Sequence, residues 1–209
     1  SVTSSATSAV ANIEDEASGT LSVTGVASEG SSLGISFSPN DPDGSISTVY
    51  QWQVSSDNSS WSDIGGATGS SLSLASDQSD VGKYFRVTAV TTDSFGGTTN
   101  FTSSATSAVS NVNDSPTGSV VISGTATEDQ VLTASNNLAD LDGLGSISYQ
   151  WVRAGSDIGG ATGSSYTLTQ ADVGSVMTVK ASYTDALSTS ESVTSSATSA
   201  VSNVNDSPT

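Results

Sequence analysis

The sequence predicts an all-β chain in which two β-sandwich domains follow one another in an elongated array. This prediction rests on three observations. Long strings recur in the same order, short β-rich runs alternate with turn signals, and no segment longer than a few turns shows the apolar spacing of a helix. The chain has 209 residues, which is enough for two domains of ordinary size.

The string SSATSAV begins at Ser4, at Ser103 and at Ser195, and YQW, IGGATGSS and DVG each occur twice between these copies. A repeat of this length forms a domain with its own core rather than one unit of a solenoid. A recent gene duplication is sufficient to explain the verbatim identity, and a recurring mechanical task is the other explanation. The repeats divide the chain into a tail of a preceding repeat with its linker (1–13), repeat 1 (14–112), repeat 2 (113–204) and the start of a further repeat (205–209).

Repeat 2 carries six runs that are typical of short strands, and its third run contains a tryptophan. Alternation in the fifth run places Met177, Val179, Ala181 and Tyr183 on one face. Such a series of short strands predicts an immunoglobulin-like sandwich, with Trp52 and Trp151 in the two cores rather than at ligand sites. The predicted strands are Val120–Ala126, Val131–Asn137, Ser146–Arg153, Ser165–Thr169, Val176–Thr184 and Ser192–Val204.

The composition restricts the partners and the chemistry of the chain. Its formal net charge is −17, from 21 acidic and 4 basic residues, so nucleic acid and anionic membranes are excluded as partners. Cysteine and histidine are both absent, which excludes disulfides, thiol chemistry and a Ser-His-Asp triad. We therefore expect no enzyme, although two carboxylates such as Asp140 and Asp142 can in principle do acid–base work. The abundance of Ser, Thr and Gly leaves disorder as an alternative to the sandwich.

Antiparallel connectivity places the loops of each sandwich at two poles. The segment that enters a repeat meets the loop after the second strand and the loop before the last strand, at what we call the incoming pole. The other loops meet the segment that leaves, at the outgoing pole. The incoming pole of repeat 2 collects Asn111, Asn113, Asp114, Asp140, Asp142 and Asp185. The incoming pole of repeat 1 collects Asn12, Glu14, Asp15, Asp41, Asp43 and Asp93. The outgoing pole of repeat 1 is expected to contribute Glu29 and Asp80 to the joint with repeat 2.

Carboxylates crowded in this way repel one another by roughly 4 kcal/mol per pair at about 4 Å and an effective dielectric of about 20. A divalent cation bound between the carboxylates turns this net repulsion into net attraction, and Ca²⁺ binds six to eight oxygen ligands. Without His or Cys, zinc and copper are poor candidates. We therefore predict that calcium binds at the joints between repeats, including a half-site at the C-terminus formed by Asn203, Asn205, Asp206, Glu128 and Asp172. Solvated acidic loops with Asx-turns are the alternative.

The linker NVND, the string TED and the string DLDG resemble the layout of cadherin-type repeats, which clamp Ca²⁺ between successive domains. The sequence of repeat 2, and less closely that of repeat 1, resembles the tandem immunoglobulin-like repeats of very large bacterial surface adhesins. Many of those are RTX-type proteins exported by type I secretion. In repeat 1, ANIEDE replaces SNVNDS, so its ligand set departs from the pattern.

This resemblance implies a structural extender, or stalk, that projects a binding domain from the bacterial cell surface, with Ca²⁺ stiffening its joints. The expected location is extracellular. The expected partners are neighbouring repeats of the same chain, with no nucleic acid and no direct membrane contact, and the fragment is expected to be monomeric.

A carbohydrate- or protein-binding module is the alternative function. The insertion SSDNSSW gives repeat 1 a tryptophan, Trp61, that repeat 2 lacks. If Trp61 and Tyr50 were coplanar and exposed, they would favour sugar binding, whereas inward packing would remove that interpretation. Covering the edge of the neighbouring strand pair is the other role open to Trp61.

Overall fold

The computed structural model of the chain describes residues 2–44 and 46–205. The chain divides into two compact units, Ser1–Val112 and Asn113–Thr209. In the described residues, regular structure consists of β-strands and one short 3₁₀ turn at Gln170–Asp172. None of these residues forms a helix with the length and apolarity that crossing a membrane would require.

Repeat 1 is built from two antiparallel sheets. The first has the strand order β1-β2-β5, and the second has the order β4-β3-β6-β7. The strands are β1 Ser22–Thr24, β2 Ser32–Ser36, β3 Ser47–Ser55, β4 Ser62–Asp63, β5 Ser71–Ser73, β6 Tyr84–Thr92 and β7 Thr98–Thr102.

Repeat 2 has the same topology, with sheets ordered β12-β9-β8 and β11-β10-β13-β14. A three-stranded and a four-stranded antiparallel sheet enclosing one core form an immunoglobulin-like sandwich, so the predicted fold class is confirmed. The strands are β8 Val120–Ser123, β9 Val131–Asn136, β10 Ser148–Arg153, β11 Ser156–Asp157, β12 Ser165–Thr167, β13 Met177–Thr184 and β14 Ser190–Thr194.

A tryptophan lies at the centre of each core, and both Trp52 and Trp151 are 0% exposed. Each indole N–H donates to a backbone carbonyl, that of Gly69 at 3.0 Å and that of Gly163 at 2.9 Å. The predicted apolar face of β13 is also buried, since Met177, Val179, Ala181 and Tyr183 all belong to the second core. The prediction that these two tryptophans are core residues is confirmed.

The predicted boundaries of the first and last strands of repeat 2 are wrong by three residues or more, and those of the other four by one or two residues. The first strand of repeat 2 is predicted to reach Ala126 but ends at Ser123, because Gly124 has a positive φ of 116°. The last strand is predicted over Ser192–Val204, but β14 spans only Ser190–Thr194. The short strand β11 is absent from the prediction, because its two residues carry no alternation that a sequence pattern could show.

Regular strand pairing ends after β14 because side-chain hydroxyl groups, in place of backbone carbonyls, accept hydrogen bonds from N–H groups of β13. Ser195 Oγ accepts from the Val179 N–H at 3.0 Å, and Thr198 Oγ1 accepts from the Met177 N–H at 3.0 Å. Val201 then enters the core at 3% exposure. Side-chain oxygens of Ser and Thr compete with backbone carbonyls in this way, which interrupts regular strand pairing.

Repeat 1 closes in the same manner. Ser103 Oγ accepts from the Val87 N–H at 3.0 Å, Thr106 Oγ1 accepts from the Phe85 N–H at 3.1 Å, and Val109 is buried. The recurring string SSATSAV is therefore the closing segment of each sandwich, in which every third residue makes the contact that holds it.

Candidate cation site at the incoming pole

The incoming pole of repeat 1 brings together three of the predicted carboxylates. One oxygen from each of Glu14, Asp43 and Asp93 lies within 4.8 Å of the others. Asp43 and Asp93 are buried, whereas Glu14 lies on the exposed incoming segment. Three like charges at this separation destabilise the pole unless a cation or a proton joins them.

Asp43 ties the incoming segment to the sandwich. The Asn12 amide donates to Asp43 Oδ1 at 2.8 Å, and the Asp15 N–H donates to Asp43 Oδ2 at 2.8 Å. Asp41 lies outside the group of three and accepts the Asp43 N–H at 2.9 Å, as in an Asx-turn. Of the predicted ligands, Asn12, Asp15 and Asp41 therefore shape the site, while Glu14 and Asp43 supply converging carboxylates.

Asp93 is held by the loop that joins β6 to β7. Its Oδ1 accepts from the N–H groups of Phe95, Gly96 and Gly97 at 2.6, 2.8 and 3.1 Å. Although burial opposes ionisation, these donors hold the pKa of Asp93 below its ordinary value. The side chain is 8% exposed, and its other oxygen, Oδ2, has no hydrogen-bond partner.

The chain leaves room for Glu14 at Gly97, where an added Cβ would collide with the Glu14 carboxylate. Loss of hydration at the carboxylate, followed by the charge of Asp93, raises the pKa of Glu14. The Glu14 carboxyl can donate a hydrogen bond to Asp93 only when it is protonated. When Glu14 is ionised, Asp93 Oδ2 therefore has no donor.

No basic side chain compensates these charges among the residues that the structure describes. The two ion pairs found there lie elsewhere, Lys83 Nζ with Asp80 Oδ1 at 3.6 Å and Arg153 with Asp172 Oδ1 at 3.0 Å. A group of oxygen ligands containing two buried carboxylates suits a hard divalent cation, and Ca²⁺ accepts irregular geometry more readily than Mg²⁺.

Repeat 2 places two buried carboxylates at the equivalent pole, Asp142 and Asp185, each 6% exposed. The Asp114 N–H donates to Asp142 Oδ2, as Asp15 does to Asp43 in repeat 1. Asp185 Oδ1 accepts from the Thr189 N–H at 2.7 Å, and its Oδ2 has no partner. The unpartnered buried oxygen therefore occurs in both repeats.

Asp140, another predicted ligand, is bound within its own unit. It accepts the hydroxyl of Tyr183 and the Asp142 N–H, the latter at 2.9 Å. Burial of the phenol, followed by the Asp140 carboxylate, raises the pKa of Tyr183 above its ordinary value. Asp140 therefore accepts a hydrogen bond from Tyr183 and stabilises the loop between β9 and β10.

The incoming segment of repeat 2 presents an amide where repeat 1 presents a carboxylate, since Asn113 corresponds to Glu14. Asn113 Nδ2 donates to Glu191 Oε1 at 3.0 Å. Sequence reasoning missed Glu191, which stands on β14 where repeat 1 has Thr99. The signal that could have found it is this exchange of residue types between two otherwise matching repeats.

The predicted ligands at the outgoing pole have partners within repeat 1. Glu29 is 8% exposed and accepts the N–H groups of Gln78 and Val112 at 2.9 and 3.2 Å. Asp80 accepts the Ala75 N–H at 2.9 Å in addition to its pairing with Lys83. Glu29 therefore fastens the outgoing segment, and Asp80 anchors the turn before β6.

The remaining predicted ligands also make contacts within their own units. Asn111 Oδ1 accepts from the Gln78 amide at 2.9 Å, and Asn203 Oδ1 accepts from the Gln170 amide at 3.1 Å. Glu128 Oε2 accepts from the Val204 N–H at 3.0 Å, as Glu29 does from Val112. Asn205 is the last described residue, and Asp206 of the predicted C-terminal half-site lies outside the described residues.

Trp61 and Tyr50 do not form a common platform. Tyr50 packs with the core of repeat 1, where its ring meets that of Phe37 edge-on at 6.5 Å. Trp61 contacts Arg86, whose guanidinium carbon lies 4.3 Å from the centre of the indole ring. Arg86 pairs across the sheet with Gln53, on the face opposite to that of Tyr50 and Trp52. Trp61 therefore covers the outer face of the strand pair β3–β6.

Comparison with known proteins gave neither a matching family model nor a matching curated protein. Among solved structures, the chain is similar to a Ca²⁺-stabilised adhesin with which an Antarctic bacterium reaches out and binds ice, at 14% identity and a TM-score of 0.35. That match covers 92% of this chain, which spans about half (50%) of the adhesin structure.

A second similar structure contains fibronectin(III)-like modules of CbhA from Clostridium thermocellum, at 16% identity and a TM-score of 0.25. It covers 88% of this chain and 94% of the modules. The argument for function therefore comes from the residues of this chain.

Proposed function

We propose that the chain is a pair of structural extender repeats from a large bacterial surface adhesin, and that each repeat binds Ca²⁺ at its incoming pole. The observation that carries the calcium proposal is the pair of buried carboxylate oxygens, Asp93 Oδ2 and Asp185 Oδ2, that have no donor. Buried polar atoms in native proteins are nearly always satisfied, and an orphan of this kind at matching positions calls for an external partner.

The position of Glu14 indicates what the ion would do. Glu14 belongs to the incoming segment, whereas Asp43 and Asp93 belong to loops of the sandwich. A cation bound by all three would fasten the incoming chain to the domain, in addition to the bonds from Asn12 and Asp15. Without the ion, repulsion among the carboxylates would loosen the same segment. Calcium would thus hold the incoming segment more firmly than those hydrogen bonds do alone.

The extender role is supported by the identical closing segments and by the two sandwiches with equivalent poles. Extracellular modules bind Ca²⁺ with dissociation constants of about 10⁻⁴–10⁻³ M, which suits a site that fills only outside the cell. The proposed location is the bacterial cell surface, and the proposed route is the type I secretion used by RTX-type adhesins. Fixing the incoming segment after export would let each repeat extend the array.

The test is thermal unfolding of the full chain in 10 mM CaCl₂, in 10 mM MgCl₂ and in excess chelator, by differential scanning calorimetry. A site with a dissociation constant near 0.1 mM would be stabilised by about 2.7 kcal/mol at that calcium concentration, and Tm would rise by on the order of 10 °C. Magnesium should produce a much smaller shift. Identical curves in calcium and chelator would refute the calcium sites.

A further inference from the structure

One corner of the incoming pole differs between the repeats at three positions that meet in the fold. Glu14, Thr91 and Thr99 of repeat 1 correspond to Asn113, Tyr183 and Glu191 of repeat 2. Repeat 2 therefore loses a carboxylate from its incoming segment and gains one on its last strand. The number of acidic residues at the corner is the same in both repeats.

Cross-strand pairing directs the new carboxylate towards the pole. Glu191 on β14 is the pairing partner of Tyr183 on β13, and such partners lie on the same face of a sheet. Tyr183 is 5% exposed and its hydroxyl donates to Asp140. Glu191 thus stands beside Tyr183 on the core-facing side of the sheet, where the sheet ends.

The Asn113 amide shows that Glu191 reaches the incoming segment. Its Nδ2 lies 3.0 Å from Glu191 Oε1, so the carboxylate is within hydrogen-bond distance of the side chain that replaces Glu14. The loops that carry the two buried carboxylates are also joined, since the Ala186 N–H donates to the Asp142 carbonyl at 3.1 Å. Asp185, next to Ala186, has the unpartnered buried oxygen Oδ2.

We propose that Glu191 supplies to the calcium site of repeat 2 the carboxylate that Glu14 supplies in repeat 1. This inference rests on the proposed calcium function and names a ligand for its second site. Asn113 positions Glu191, so the incoming segment is connected to the site by the hydrogen bond between the Asn113 amide and the Glu191 carboxylate. The ion of repeat 2 would then draw together three carboxylates, Asp142, Asp185 and Glu191, whereas among the described residues only Glu14, Asp43 and Asp93 of repeat 1 already converge.

The test is a residue exchange in the full chain, with Ca²⁺ binding followed by isothermal titration calorimetry. Glu191→Thr installs the residue of repeat 1 and should weaken one of two sites about tenfold while the other is unchanged. Adding Asn113→Glu to Glu191→Thr recreates the corner of repeat 1 and should restore the affinity. Asp157→Asn removes the same charge from exposed β11, away from the pole, and should leave both affinities unchanged.

The possible results separate this inference from the proposed function. If the parent chain binds no calcium, both are wrong. If two sites are present but Glu191→Thr leaves both affinities unchanged, or if Asn113→Glu does not restore the weakened site, only the role of Glu191 is wrong. Unfolding of each variant in chelator checks that the sandwich remains folded, so that a lost site is not mistaken for a lost domain.

Discussion

Asp93 and Asp185 occupy equivalent positions in the two repeats, and each buries one carboxylate oxygen with no hydrogen-bond donor while backbone N–H groups bind the other. The same half-satisfied carboxylate therefore occurs twice in the chain. A buried acceptor left without a donor costs free energy, with about 1–3 kcal/mol as the general range. Its recurrence at a pole with further carboxylates is the strongest structural argument for a bound cation.

The first prediction concerns Asp93→Asn. The asparagine keeps an oxygen for the backbone donors of the loop and places an amide where the unpartnered oxygen lies. In chelator we expect a higher Tm than that of the parent chain, because the repulsion with Glu14 and Asp43 is reduced. In calcium we expect repeat 1 to lose its stabilisation. Calorimetry in both buffers measures the two effects with opposite signs.

Asp185→Asn is the matched variant for repeat 2 and should change the other transition in the same way. A lower Tm of Asp93→Asn in chelator, together with an unchanged response to calcium, would show that Asp93 is only a structural cap for its loop.

The second prediction concerns Asp172, which is 0% exposed and binds Arg153, Tyr166 and Thr169. Removing one partner from a buried ion pair costs about 3–5 kcal/mol. We therefore expect Asp172→Ala to destabilise repeat 2 by about 3 kcal/mol in urea unfolding. Asp80→Ala, at the equivalent and more exposed position of repeat 1, should cost about 1 kcal/mol or less.

The pH dependence of unfolding gives a separate check on Asp172. Although burial opposes ionisation, hydrogen bonds from Thr169, Tyr166 and Arg153 hold its pKa below the ordinary 3.8. A carboxyl whose pKa is lower in the folded state stabilises above its unfolded pKa, and this contribution is lost as the pH falls through the folded pKa. The parent chain should lose stability below about pH 4 more steeply than Asp172→Ala. Parallel curves would contradict the assigned role.

The third prediction separates the two kinds of tryptophan. Trp151→Phe removes the donor to the Gly163 carbonyl and leaves a small void, so we expect a loss of about 2 kcal/mol. Trp61→Phe should cost less than about 1 kcal/mol, because Trp61 is only half-buried and its cation–π contact with Arg86 lies on the outer face of the sheet. Urea titrations followed by circular dichroism measure both changes. An equal loss in the two variants would show that Trp61 belongs to the core of repeat 1.

The fourth prediction concerns the outgoing segment. Glu29→Ala removes the acceptor for the Val112 N–H, so we expect faster hydrogen exchange at that amide. The increase should be the same in calcium and in chelator, because the contact needs no ion. If calcium protects Val112 in the parent chain and this protection disappears in Glu29→Ala, then Glu29 is also a calcium ligand, as the sequence predicted.

The fold could be read from the sequence because its signals are local. The tryptophans in the third strands and the alternation in β13 follow from the two-residue period of a strand. The closing segment, a polar and serine-rich string, was predicted to belong wholly to the last strand, Ser192–Val204. What the pattern does not show is that Ser195 and Thr198 accept backbone hydrogen bonds with their side chains, which depends on the neighbouring strand.

The candidate site was predicted in its composition but not in its geometry. The sequence placed Glu14, Asp43 and Asp93 at one pole, and the structure brings their oxygens together. It could not show that Asp41 and Asp140 are turned towards loop and tyrosine donors, or that Glu191 faces Asn113. Those contacts depend on side-chain directions and loop conformations that no spacing rule contains.

The closing segments have a consequence for how the chain reaches its native state. Ser4–Val10, Ser103–Val109 and Ser195–Val201 have the same sequence, so each carries the serine, threonine and valine that close a sandwich. Complementarity therefore cannot select the right segment for a given sandwich, and only the length of the connecting chain favours the native choice. Refolding at high protein concentration would therefore exchange closing segments between chains. Chain connectivity, rather than side-chain identity, pairs each closing segment with its own sandwich.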